Sequence, residues 1–262
     1  MKVEEVFNLL EREVAPVSLS DEFCAKYKLY DNSGIIVNCG GEVKGALFSL
    51  DLSEKAVKKA VKLGYNLIVT HHPAIYGGIS RLDLMRDPLS KSLATCMEKG
   101  ISVISMHLNF DAAPEGIDYF LSRGLGGEKA EIAAPVSGGG YGRVYPVAPR
   151  ISGEYFEKIK KEFKTDRALL YGDPLKKISK VASFCGAGCD DYNMNFAVAN
   201  GADAFVSADM KHHEILALTQ KGLAVIVLTH YASENYGFEK IYLKIKDGLK
   251  VKSSYFTDET LL

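Results

Sequence analysis

The chain has 262 residues, with 32 Lys and Arg against 33 Asp and Glu, for a formal net charge of −1. That length buries a substantial core in one large or two modest domains. A balanced charge argues against nucleic acid as the main partner. The longest purely apolar run, residues 223–228, is too short to cross a bilayer.

In chain order, the N-terminus (Met1-Lys2-Val3-Glu4-Glu5-Val6) reads as the start of an amphipathic helix. It lacks the basic start and apolar stretch of a secretory signal. Residues 45–50 read as a buried strand. Residues 53–63 follow as a helix, with Ala56, Val57, Ala60 and Val61 at helical spacing, Ser53 as its N-cap and Gly64 as its stop. Residues 66–70 are a strand that ends at His71. A helix over about 90–98 leads through Gly100 into a strand over 101–106 that ends at His107. The cluster Gly138-Gly139-Gly140-Tyr141-Gly142 predicts a boundary or flexible loop. After it, residues 143–147, 155–163 and 167–171 predict a small βαβ-like unit. The last third repeats the first design: a strand at 181–184, a helix at 194–199, a strand at 204–206, a helix entered through His212 and His213, and a strand at 223–228 ending at His230. Strands alternating with helices predict an α/β protein. Gly64-Tyr65-Asn66-Leu67-Ile68-Val69-Thr70-His71-His72 lies beside Gly201-Ala202-Asp203-Ala204-Phe205-Val206-Ser207, which points to two related halves. The expected segments are 1–128, an intervening 129–178, and 179–262.

All six histidines fall in four clusters: Thr70-His71-His72-Pro73, His107-Leu108-Asn109-Phe110-Asp111, Lys211-His212-His213-Glu214 and Thr229-His230-Tyr231-Ala232-Ser233-Glu234. Two of them carry a carboxylate four residues after the histidine. Imidazole with carboxylate is the ligand set of borderline divalent metals. In open α/β sheets ligands gather at the carboxyl ends of strands, where His71, His107 and His230 all stand. On an extended backbone His71 and His72 diverge, so two metals take one each more readily than one metal takes both. A helix starting near His230 puts His230 and Glu234 on one face, and Asp111 has two oxygens with which to bridge two cations. His107 either ligates, orients Asp111 or donates a proton. His212 and His213 read equally as ligands or as a polar helix start. Cys185 and Cys189 do not form a paired zinc motif and read as free cysteines. The odd count of five cysteines argues for a reducing, cytoplasmic setting.

The order Thr-His-His-Pro, His-x-Asn-x-Asp, Asp-x-Lys-x-His and Thr-His-Tyr-x-x-Glu followed by glycine resembles the NIF-three-like (Ngg-one-interacting-factor-three-like) family. Its bacterial members are called type 2 homologues of GTP cyclohydrolase I. Tyr30-Asp31-Asn32-Ser33-Gly34-Ile35, Leu47-Phe48-Ser49-Leu50-Asp51 and Gly186-Ala187-Gly188 extend the likeness over nearly the whole chain, with Tyr30 in place of the family's usual Trp. The resemblance implies two similar α/β halves with a metal site between them, and two divalent metal ions (Zn, Mn, Fe, Co or Ni) on His71, His72, Asp111, His230 and Glu234. It also implies a homohexamer built as a trimer of dimers. On this reading the protein is a metal-dependent hydrolase of a nucleotide-like substrate. His107 is then the proton-transferring catalytic residue, and Asp209 and His213 support the ligands or touch substrate. The rival reading is a non-catalytic metal-binding assembly or interaction factor.

Overall fold

A computed structural model describes residues 1–262. The elements of the first stretch are α1 (Val3–Glu13), α2 (Val17–Tyr27), β1 (Gly34–Val37), β2 (Gly45–Ser49), α3 (Glu54–Leu63), β3 (Leu67–Thr70), α4 (Pro88–Glu98), β4 (Ser102–Ser105) and α5 (Leu108–Ala112). Then come α6 (Ile117–Gly124), β5 (Glu131–Val136), β6 (Gly139–Ile151), α7 (Ser152–Glu162), β7 (Leu169–Tyr171), β8 (Lys177–Ser183), α8 (Asp191–Ala199), β9 (Ala204–Ala208), α9 (His212–Gln220) and β10 (Ala224–Leu228). The chain ends with α10 (His230–Ile245) and β11 (Lys252–Phe256). It divides into two compact units, Met1–Ala113 with Phe238–Asp258, and Pro114–Gly237 with Glu259–Leu262. No helix is long and apolar enough to cross a membrane.

The first unit is built on a five-stranded sheet in the order β1-β4-β3-β2-β11. Only β1 runs antiparallel to its neighbour. The central strands β2 and β3 are buried at every position, as parallel strands covered on both faces must be. Alternation sends Leu47 and Ile68 toward Ala56, Val57 and Ala60 of α3 and Leu93 and Cys96 of α4. Phe48 instead joins an aromatic cluster with Phe238, Tyr242 and Tyr255. The ends of α3 are the expected ones: Ser53 Oγ accepts the Ala56 N–H at 3.1 Å, and Gly64 closes the helix in the left-handed region at φ 70°.

The second unit carries a six-stranded sheet in the order β5-β6-β8-β9-β10-β7. Its β8-β9-β10 core is parallel and its outer pairings are antiparallel. The expected segment 129–178 supplies β5, β6, α7 and β7 to the same sheet that later strands complete; β6 and β7 stand apart in it, not side by side as a βαβ unit would place them. The glycine cluster is not a flexible loop either. Ser137 and Gly138 make a hairpin turn, and Gly139 to Gly142 already belong to β6. A Cβ at Gly140 would lie 2.6 Å from the Ala134 carbonyl oxygen, and one at Gly142 would lie 2.3 Å from the Phe184 ring. Close backbone approach, rather than looseness, explains these two glycines.

Candidate metal centre

In the first unit, β2, β3 and β4 end on one side of the sheet, followed by Asp51, His71-His72 and His107 in turn. The Leu50 carbonyl accepts both the His71 N–H at 3.2 Å and the His72 N–H at 3.0 Å. That bend ends the extended path, so the two rings do not diverge as strand geometry would have them: their centroids are 5.0 Å apart. The turn is fastened below by a hydrogen bond of 2.8 Å between the Thr70 and Ser105 hydroxyls and by the Ala74 N–H donated to Ser105 Oγ at 3.0 Å.

Each of these imidazoles meets an oxygen acceptor at Nδ1. His71 Nδ1 lies 2.9 Å from the Met106 carbonyl oxygen, His72 Nδ1 lies 2.7 Å from Asp51 Oδ1, and His107 Nδ1 lies 2.8 Å from Asp31 Oδ1. Carbonyl and carboxylate oxygens only accept, so Nδ1 carries the proton and the lone pair sits on Nε2. This is how proteins orient imidazoles for metals. Asp31 is itself held by the hydroxyls of Ser20 at 2.5 Å and Ser33 at 2.6 Å. Burial pushes the Asp31 carboxyl up, but the hydrogen bond and charge of His107 and the two hydroxyls outweigh it and bring it to about 2.

His107 also opens α5. Its carbonyl accepts the Phe110 N–H at 2.8 Å and the Asp111 N–H at 2.9 Å, which turns Asp111 back toward the histidines. His71 Nε2 lies 3.4 Å from Asp111 Oδ1, both residues being buried. His71, His107 and Asp111 offer donor atoms all within 4.8 Å of one another. Donors sharing one cation, each at roughly 2.0–2.2 Å from it, fall in that range.

The second unit arranges its residues differently. Asp209, just past β9, takes a left-handed φ of 50°. Its Oδ2 lies 2.5 Å from His230 Nδ1, the same Nδ1-to-oxygen arrangement as in the first unit. His230 opens α10, and its Nε2 is 3.1 Å from Glu234 Oε2 one turn on. The space around this pair depends on Gly186, at φ 57°: a Cβ there would lie 2.2 Å from Glu234 Oε1 and 3.2 Å from His230 Nε2. The Gly186 N–H is donated to Ser233 Oγ at 3.0 Å, and its carbonyl accepts the Ala208 N–H at 3.0 Å. The loop before it is moored by buried Asp118, which accepts the Cys185 N–H at 3.1 Å, the Gly142 N–H at 2.9 Å and the Arg143 guanidinium. Burial pushes the Asp118 carboxyl up, while Arg143 and the two backbone donors oppose that rise.

The residues expected from sequence thus fall into two sets: His71, His72, His107 and Asp111 in the first unit, and Asp209, His230 and Glu234 in the second. Asp209 sits where a supporting residue belongs. His212 and His213 are exposed on the first turn of α9, whose inward residue is Glu214. None of the five cysteines is in a disulfide, and burial pushes the Cys189 thiol up to about 12. Sequence reasoning missed Asp31 and Asp51 as partners of His107 and His72. Both stand in segments that carry the family likeness; Asp51 is also marked as a carboxylate two residues past a buried strand, whereas no spacing ties Asp31 to its histidine, 76 residues away.

Residues 1–259 match the sequence profile of the family described as Duf34/NIF3 (NGG1p interacting factor 3). The chain belongs to that family. A relative named "GTP cyclohydrolase 1 type 2 homolog", from Clostridium acetobutylicum, is 28% identical over 240 residues, 89% of this chain and 85% of the relative. "NGG1-interacting factor 3" of Saccharomyces cerevisiae is 30% identical over 257 residues, 87% of each chain. The crystal structure of a Bacillus cereus protein related to NIF3 superposes with a TM-score of 0.86 at 19% identity, covering 99% of this chain and 98% of the other. These likenesses bear out the mixed α/β fold of the NIF3 family.

Proposed function

We propose that His71, His72, Asp111, His230 and Glu234 hold two divalent cations, and that this NIF3-family chain hydrolyses a nucleotide-like substrate. The observation that carries the reading is the shared setting of four imidazoles. His71, His72, His107 and His230 each have Nδ1 on an oxygen acceptor, which puts the lone pair on Nε2, and His71 Nε2 and His230 Nε2 lie 3.4 and 3.1 Å from Asp111 and Glu234. Bound cations of this kind lower the pKa of water and polarise an electrophilic carbon or phosphorus. His107 takes the proton-transfer role. With Nδ1–H held by Asp31, its Nε2 can accept a proton, and the ionised Asp31 stabilises the imidazolium that forms. Asp209 fixes the ring of His230, and His213, exposed at the start of α9, is assigned to substrate contact. The homohexamer and the cytoplasmic setting belong to the same reading; the lack of disulfides among the five cysteines supports the setting.

The test is to purify the protein with and without Mn, Fe or Zn, measure metal content by elemental analysis, and screen nucleotides, GTP included, for product release. Asp111→Ala is expected to lower bound metal and turnover together, the latter at least tenfold. Equal product release by wild type and Asp111→Ala rejects the hydrolase. A second reading, a metal-dependent interaction factor without turnover, draws on the name of the Saccharomyces cerevisiae relative. It predicts that Asp111→Ala lowers melting temperature or partner capture while no nucleotide is consumed.

A further inference from the structure

Beside the histidine cluster of the first unit stand two tyrosines that its packing does not need. Tyr30 is 52% exposed and Tyr76 is 62% exposed. Their rings meet edge to face, with centroids 5.3 Å apart and planes at 86°. Tyr76 in turn meets the His107 ring edge to face at 6.5 Å, and His107 lies 5.1 Å from His71 and 5.9 Å from His72. The pair is built rather than loose. Tyr76 OH donates to the Tyr30 carbonyl at 3.0 Å, and Asn32 Nδ2 donates to the Ile75 carbonyl at 2.7 Å, so two side-chain-to-backbone bonds join the segments that carry the rings, the second independent of the Tyr76 hydroxyl. An exposed aromatic pair held in place beside a polar cluster offers apolar faces to a ligand.

We infer that Tyr30 and Tyr76 form a stacking platform for the nucleobase of the substrate, so that the ligand class of this site is a planar heteroaromatic ring carrying a phosphate or sugar-phosphate. The inference rests on the nucleotide reading above and narrows it. An aromatic ring accepts any base on its π-face without hydrogen-bond readout, and such stacking strengthens binding about tenfold per base. An edge-to-face pair leaves ring faces open to a third ring, and Tyr76 connects that surface to His107. The platform selects for the flat part of the ligand, while the imidazoles and carboxylates deal with its polar part.

The experiment is calorimetric titration of the metal-loaded wild-type protein with GMP and with ribose 5-phosphate, which keeps the sugar and phosphate but lacks the base. GMP is expected to bind about tenfold tighter. Tyr76→Ala is expected to bring GMP down to the level of ribose 5-phosphate without moving the latter, while Tyr76→Phe, which keeps the ring, stays within about twofold of wild type. Metal content and melting temperature, measured alongside, establish that the variants are folded and loaded. A loaded wild-type protein that binds GMP no tighter than ribose 5-phosphate, absence of binding included, overturns the platform. So does unchanged GMP affinity in Tyr76→Ala. A shift in oligomeric state in Tyr76→Ala assigns the pair to a subunit contact and overturns it too. Because the readout is binding, base-dependent affinity without turnover rejects the hydrolase and leaves the platform standing.

Discussion

The stretch β2-α3-β3 in the first unit and the stretch β8-α8-β9 in the second are made with the same devices. Ser53 caps one helix by accepting the Ala56 N–H at 3.1 Å, and Asp190 caps the other by accepting the Asn193 N–H at 2.7 Å. Both helices end at a left-handed glycine, Gly64 at φ 70° and Gly201 at φ 65°. The following residue, Tyr65 or Ala202, returns its N–H at 3.0 Å to Ala60 or Ala197. Then a side chain ties the start of the earlier strand: Asn66 accepts the Lys44 N–H at 2.7 Å, and Asp203 accepts the Ser179 and Lys180 N–H groups at 2.8 and 2.9 Å. The likeness stops where the strands stop. Past β3 the chain bends directly into His71 and His72. Past β9 it bends through the left-handed Asp209, and the imidazole comes from α10 instead. Folding devices are shared, and the chemistry is written in the few residues beyond the strand ends, where no hydrogen-bonding ladder dictates what stands.

Gly186→Ala is the change expected to separate the two sets most sharply. The added methyl needs the space of Glu234 Oε1, and an alanine at φ 57° adds about 1–2 kcal/mol of backbone cost. Elemental analysis is expected to show roughly half the wild-type metal, with the set on His71 and Asp111 still loaded. Full metal content would mean that Glu234 is not a ligand. Next come the carboxylates behind the imidazoles. Asp51→Ala and Asp209→Ala are each expected to weaken metal binding about 10- to 100-fold in a chelator competition. The larger loss is expected at Asp51, whose side chain is 41% exposed against 54% for Asp209. The reverse order would place the tighter cation in the second unit.

The smallest effect concerns the shared scaffold. Burial raises the Asp203 carboxyl, but the Ser179 and Lys180 backbone bonds and the Ser179 hydroxyl outweigh it and hold it below its ordinary 3.8. A depressed carboxylate contributes its full stability above the unfolded value and loses it as pH falls through the folded one. Urea melts at about pH 6 and about pH 3 are therefore expected to show a slightly smaller acid loss in Asp203→Asn than in wild type. Identical acid losses in the two would mean that the Ser179 and Lys180 bonds do not hold the Asp203 carboxyl down.

Much of this was legible in the sequence because it is local. Ser53 and Gly64 name the ends of α3 by their own chemistry, and the largely apolar β2, β3 and β9 announce covered parallel strands. The convergence of the first-unit histidines was legible because residues that follow neighbouring parallel strands share one end of the sheet. What escaped was set by distance along the chain or by a bend. Asp31 reaches His107 across a stretch that no spacing rule covers. His71 and His72 stay near each other because Leu50 takes both of their N–H groups, which periodicity cannot foresee. The glycines at 140 and 142 looked like slack because the ring and carbonyl pressing on them lie elsewhere in the sequence. The antiparallel edges β1, β5 and β7 carry no sign of whom they pair with.

The mooring of the Cys185 loop has a diagnostic consequence. Asp118 touches no candidate ligand, yet its two oxygens tether the strand bearing Gly142 and the residue that precedes Gly186. On the proposed metal reading, inherited or engineered damage at Asp118 would therefore imitate a lost ligand: the protein is expected to emerge short of metal with every candidate histidine and carboxylate intact. A survey that inspects only the donors would pass such a variant as sound.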